Sequence, residues 1–136
     1  LITPRPPRST RNDSSAASDV YKIQTLDRHG IKSRIKNEKG GLSGKPLFSK
    51  STWVLAHLSE RLDNNIPLIG VGGVSTATDA YQKILAGASA VQLYTGLVYR
   101  GLGLISEINK ELSAILSRKG IHRLTDVVGK ERNNFL

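Results

Sequence analysis

Residues 66–97, IPLIGVGGVSTATDAYQKILAGASAVQLYTGL, constrain the fold more than any other stretch of this chain. Ile66 to Val71 is a near-continuous apolar run that drives into Gly72-Gly73. A parallel strand covered on both faces reads this way. Ser75 or Thr76 stands where it can cap a helix reaching about Ala86. Ala77, Ala80, Tyr81, Ile84 and Leu85 then form its inner face, and Gly87 suits its C-terminus. A second strand follows over Ala90 to Leu93 and ends at Tyr94-Thr95. Strand, helix and strand in that order imply two parallel strands joined by a right-handed crossover.

The flanks extend the alternation. A helix fits Thr52 to Asn64, capped by Ser51, with Val54, Leu55, Leu58 and Leu62 on one face. Leu104 to Arg118 carries a stripe of Leu104, Ile105, Ile108, Leu112, Ile115 and Leu116, and Lys119-Gly120 closes it. A short final helix is expected near Leu124–Val128. Upstream, GGLSGKPL at 40–47 is turn chemistry, residues 27–40 read as a loop, and residues 20–26 as a short strand. Residues 1–19 have no apolar period and are expected to be a disordered, linker-like or transit-like arm. Two strands do not make a self-sufficient parallel sheet, so the core is expected to be a slice of something larger.

Charge is unevenly placed on this frame. The net charge is +9, of which +7 falls on residues 1–50 and +2 on residues 51–136. A basic head points to nucleic acid, anionic lipid or simply a solvated arm. The few aromatics are scattered without the stacking pattern of single-strand binders, so a nucleic-acid partner is not expected. The absence of Cys excludes disulfides, thiolate metal sites and Cys nucleophiles. No apolar run approaches the roughly 20 residues of a membrane-spanning helix.

The glycines mark the chemistry. Beyond the carboxyl end of a parallel strand, the amides of the turn and of the next helical turn point outward and favour an anion. Gly72-Gly73, with Ser75 and Thr76 after it, meets those requirements; a plain tight turn is the simpler alternative. GVGGVS approximates the dinucleotide fingerprint, but Ser75 replaces its last Gly. The next strand also ends in Tyr94-Thr95 rather than in the acidic residue that a ribose needs. A P-loop fails at Gly44-Lys45, because position 39 is Lys and Pro46 stands where Ser or Thr would hold magnesium. A (β/α)₈ barrel fits best, since its phosphate site is commonly built by two successive strand ends and a helix N-terminus.

Three motifs in order, GGLSGKPL, STWVLAHL and IPLIGVGGVSTATDAYQKILAGASAVQLYTGLVYRG, closely resemble the C-terminal part of the quinone-linked (class 2) dihydroorotate dehydrogenases. The match covers roughly 38–130, with TLDR at 25–28 as an outlier, and VQLYT favours the quinone-linked over the cytosolic class. The resemblance implies an α/β fold, the C-terminal portion of a (β/α)₈ TIM barrel carrying FMN. The implied activity oxidises dihydroorotate to orotate in pyrimidine synthesis and passes electrons to a quinone. Gly44 and Gly73 should then lie against the flavin mononucleotide. Tyr94 and Thr95 should present amides to its phosphate, and Ser43 and Gly72 should shape the turns. In a eukaryote the family implies docking at the inner mitochondrial membrane.

The departures set limits on that reading. The family's Asn-Thr-Thr substrate run aligns with Ile23, Gln24 and Thr25, so Thr25 alone is kept as a substrate contact. The family's catalytic Ser and its flavin-contacting Lys lie on strands that are not in this sequence. Leu102-Gly103 stands where the family usually has Pro. Residues 1–24 are expected to be a basic arm foreign to the family, and 25–136 a barrel fragment inactive by itself. The competing class is a non-catalytic basic binding or structural module that keeps a phosphate-site remnant. His29, His57 and His122 share no metal-like spacing. Tyr81 and Tyr99 are read as packing residues, Lys45 as an exposed loop lysine, and Asp79 as a first-turn charge favoured by the helix dipole.

Overall fold

The computed structural model describes residues 25–28, 31–33, 39–63 and 65–136. The arm over 1–24, most of the short strand over 20–26, His29 and much of the loop over 27–40 lie outside the described residues.

A 3-10 turn at Lys45–Leu47, with Pro46 presetting a helical φ, runs directly into α1 (Phe48–Leu62). The helix therefore begins at Phe48 rather than Thr52, and Ser51 is not its cap. Ser51 lies inside α1 and is buried with Thr52, Leu55, Ala56 and Ser59. Of the expected face only Leu55 is fully buried; Val54, Leu58 and Leu62 are partly covered. The helix stops at Asp63, whose left-handed backbone (φ 45) ends the i→i−4 ladder.

Strand β1 (Leu68–Val71) pairs in parallel with β2 (Ala88–Gln92), with Gly70 opposite Val91 and Val71 opposite Gln92. Helix α2 (Ala77–Leu85) makes the crossover, and a small residue lets the layers close. A Cβ on Gly70 would stand 2.9 Å from the Cβ of Ala88 and 3.1 Å from that of Lys83. Coverage on both faces was expected for β1, but Ile69 is 62% exposed. Only one face of this two-stranded sheet carries helices among the described residues.

Helix α3 (Thr95–Arg100), which the apolar pattern did not suggest, follows β2 and leads into α4 (Gly103–Arg118). Leu104 and Ile108 of α4 pack on Val74, Ala77 and Ala80, whereas Ile105 of the expected stripe faces outward. The other expected inner residues of α2 are buried as well, with Tyr81, Ile84 and Leu85 gathered around Val127. The final helix near Leu124–Val128 is a 3-10 turn at Leu124–Val127, and a further one spans Arg132–Phe135. This tail straps the body: Gly129 N donates to Ile84 O (3.0 Å), Glu131 N to Leu85 O (3.2 Å) and Arg132 Nη1 to Ser59 O (3.0 Å).

Candidate functional site

The turns after β1 and β2 meet the Gly-rich turn before α1, and the three enclose one cavity of about 510 Å³. Gly44, Gly73, Tyr94 and Thr95 all line it, together with Ser43 and Gly72. The Gly-rich turn before α1 lies against the turn after β2. Thr95 Oγ1 donates to Ser43 Oγ (3.1 Å), and a Cβ on Gly44 (φ 81) would stand 3.0 Å from Thr95 Cγ2. Glycine suits position 44 because its φ is left-handed and a Cβ there would press on the Thr95 side chain.

The second turn is fixed against α1. A Cβ on Gly73 (φ 77) would lie 2.6 Å from Phe48 Cβ and 2.7 Å from the Phe48 Cα and N. Glycine at 73 is thus required by the passing backbone of α1, a reason independent of any ligand. Gly72 (φ 97) sits over Ser51, whose Oγ is 3.0 Å from the Gly72 carbonyl.

The amides at the start of α2 differ from the expectation that they face an anion. Thr76 caps α2, and its hydroxyl accepts from Asp79 N (3.1 Å). In return Asp79 Oδ2 accepts from Ser75 N (2.9 Å), Ser75 Oγ (3.0 Å) and Thr76 N (3.0 Å), a capping box that satisfies these donors internally. Further donors sit after β2. The first bonds of α3 run from Leu97 and Val98 to Tyr94 O, so the amides of Thr95 and Gly96 have no acceptor within the helix.

No Asp, Glu, His or Cys lines the cavity among the described residues, whereas Lys45 and Arg100 do. That donor set suits an anion. Arg100 is also a clamp: its Nη2 meets both Glu107 carboxylate oxygens (2.7 and 2.8 Å) and its Nη1 donates to Ser75 O (3.1 Å). Thr25 is not at the cavity wall. It pairs with Leu42, which is, through Thr25 N to Leu42 O (2.8 Å) and Leu42 N to Thr25 O (2.7 Å). Tyr81 packs in the core as expected, but Tyr99 is 84% exposed and borders the cavity. His57 lies elsewhere, its ring tilted 47° to that of Trp53 with 4.1 Å between centroids.

Sequence reasoning missed Lys83. Its side chain is wholly buried, with Nζ 2.6 Å from Ser51 Oγ and 4.8 Å from the centre of the Phe48 ring. Burial pulls its pKa down to about 7, against the opposing pull of Asp79. The available signal was its place between Ala80 and Ile84 on a helix covered from more than one side.

Comparison with known proteins gives a consistent outcome. Residues 16–116, a span that begins inside the 1–24 segment, match the family model described as dihydroorotate dehydrogenase. The protein named dihydroorotate dehydrogenase (quinone) of Cereibacter sphaeroides is 51% identical over 123 residues, 90% of this chain and 35% of that protein. The protein of the same name from Brucella ovis is 46% identical over 132 residues, 91% of this chain and 36% of the other. Among solved structures, ligand-free DHODH from Eimeria tenella superposes with a TM-score of 0.74 at 37% identity, covering 79% of this chain and 30% of that one. The same enzyme in complex with ferulenol gives 0.75 at 38% identity. These structural neighbours are TIM-barrel enzymes, and the α/β unit with parallel strands described above is a portion of such a barrel. The chain spans about a third of the length of the curated relatives it matches.

Proposed function

The chain belongs to the dihydroorotate dehydrogenase family, and from that premise we propose that it is a portion of the quinone-linked enzyme whose cavity seats FMN. The carrying observation is that Gly44, Gly73, Tyr94 and Thr95, distant in sequence, line one cavity whose described lining holds no acidic side chain.

In this reading the free amides of Thr95 and Gly96 meet the phosphate, with the Thr95 hydroxyl held in place by Ser43. Gly44 and Gly73 lie against the rest of the nucleotide. Lys45 and Arg100 give the cavity a positive bias, of which the Glu107 pair already neutralises a share. When bound, FMN supplies a hydride acceptor for dihydroorotate and a two-electron donor for quinone. Thr25, tied to the cavity-lining Leu42, is the described residue assigned nearest the pyrimidine substrate.

The reaction assigned to the whole enzyme is dihydroorotate to orotate in pyrimidine biosynthesis. The 136-residue chain alone, which spans about a third of the length of the enzymes it matches, is assigned binding without turnover. By family analogy a eukaryotic enzyme of this kind works at the inner mitochondrial membrane; no helix among the described residues is long and apolar enough to cross a bilayer.

The test is titration of the purified chain with FMN by flavin fluorescence, followed by an assay of dihydroorotate-dependent quinone reduction. Saturable FMN binding, weakened by Thr95→Val and far weaker for riboflavin without its phosphate, supports the reading. No saturable binding sinks the cofactor assignment, and measurable turnover sinks the claim that the chain alone is inactive.

A further inference from the structure

A lysine with no exposed surface is a costly occupant of a core, since its amine loses hydration, whereas burying an apolar side chain of equal length is favourable. Lys83 is such a residue, and what its amine touches is specific. Nζ lies 2.6 Å from Ser51 Oγ. Ser51 Oγ is in turn 3.0 Å from Gly72 O and 3.0 Å from Phe48 O. A serine hydroxyl has one proton and two acceptor lone pairs. By donating to the oxygen, Lys83 occupies one of these lone pairs and leaves the proton directed at the Gly72 or Phe48 carbonyl. The same amine faces the Phe48 ring, and Phe48 is the residue whose backbone blocks any Cβ on Gly73.

From this geometry we infer that Lys83 is a positioning residue for the cavity: acting from the core through Ser51 and Phe48, it fixes the Gly72-Gly73 turn that forms one wall. Its consequence for FMN rests on the proposed function, but its consequence for the turn does not. The groups around the amine are few. Helix α1 contributes Ser51 and Phe48, neither of them titratable. Asp79 on α2 is the charge that acts on it, favouring the protonated form against burial. An ammonium donates more strongly than a neutral amine, so the hold on the turn varies with protonation.

The test uses the full chain and its Lys83→Met, Ser51→Ala and double variants, with two readouts. Without ligand, backbone amide NMR shifts of Gly72 and Gly73 are followed from pH 5.5 to 9. In the parent they move with a single inflection that coincides with the directly observed Lys83 titration. Lys83→Met abolishes the inflection, and Ser51→Ala reduces it, while α4 amides stay in place. With FMN, each single variant binds about tenfold more weakly, and the double variant no worse than the weaker single, as expected when two residues share one hydrogen-bond path. An unmoved Gly72-Gly73 turn in Lys83→Met, or an inflection that survives it, overturns the inference. Additive losses in FMN affinity overturn it as well. If the parent binds no FMN, the cofactor reading falls while the NMR arm still decides the role of Lys83. If Lys83→Met does not fold, Ser51→Ala decides: unchanged turn shifts and an unchanged inflection refute the role.

Discussion

A Cβ placed on Gly73 would come within 2.6 Å of the Cβ of Phe48, so the cavity wall and the first turn of α1 are in contact with no space for a methyl group. Real atoms do not approach so closely, and the positive φ of 77 adds strain for any L side chain. Gly73→Ala should therefore lower stability by about 2–4 kcal/mol and weaken FMN binding in whatever remains folded. Gly103→Ala is the matched control, because it has open space and an ordinary backbone at the start of α4. It should be neutral or stabilising by about 0.5–1 kcal/mol. Urea unfolding of the two variants checks the contrast; equal effects would remove the steric account.

Ser59 and Gly87 form a second tight pair. The Ser59 hydroxyl is buried without a hydrogen-bond partner among the described residues, and a Cβ on Gly87 would stand 2.1 Å from it. An unsatisfied buried hydroxyl is a cost that removal relieves. Ser59→Ala should be neutral or up to about 1 kcal/mol more stable. Ser59→Val, which adds bulk against Gly87, should lose about 1–3 kcal/mol. Thermal unfolding of both distinguishes packing from polarity at this site.

At the start of α2, Asp79 accepts three hydrogen bonds and Thr76 accepts one. Thr76→Ala should cost about 1 kcal/mol. Asp79→Ala strands Ser75 N, Ser75 Oγ and Thr76 N together, and should cost more, about 2–3 kcal/mol. It should also push the Lys83 pKa further down, because Asp79 is the charge that now raises it. NMR titration of the Lys83 amine in Asp79→Ala checks the second point; an unchanged or higher pKa would contradict it.

Lys83 also predicts how stability depends on pH. Its pKa is about 7 in the folded chain against 10.5 for a free lysine. Between these values the unfolded state holds a proton that the folded state lacks, so stability rises with pH, by about 1.4 kcal/mol per unit from this group. Below pH 7 both states are protonated and the contribution is flat. Urea midpoints at pH 6, 7.5 and 9 should climb more in the parent than in Lys83→Met. Parallel curves would show that Lys83 keeps an ordinary pKa.

Much of the alternation was legible in the sequence because its causes are local. The apolar period of Ala77 to Leu85, a cap at Ser75 or Thr76 and the stop near Gly87 act within a few residues, and α2 was found almost to its ends, although Asp79 was read as a dipole charge rather than as half of the cap. The meeting of the two glycine-bearing turns was legible too, since parallel strands joined by a crossover must end on the same side. The start of α1 was not, because a Pro46-led 3-10 turn joined the helix and moved Ser51 from cap to core. Nor was Tyr99, whose place at the cavity depends on the unanticipated α3.

The sequence by itself determined the strand–helix–strand order, the glycine positions and the family motifs, each written in the periodicity or identity of neighbouring residues. Tertiary structure alone decided why Gly73 must lack a side chain, which amides remain available, and that Lys83 lies buried against Ser51. Those outcomes depend on contacts between residues far apart along the chain, such as Gly73 with Phe48 and Lys83 with Ser51, and no local pattern encodes distance across a packed core.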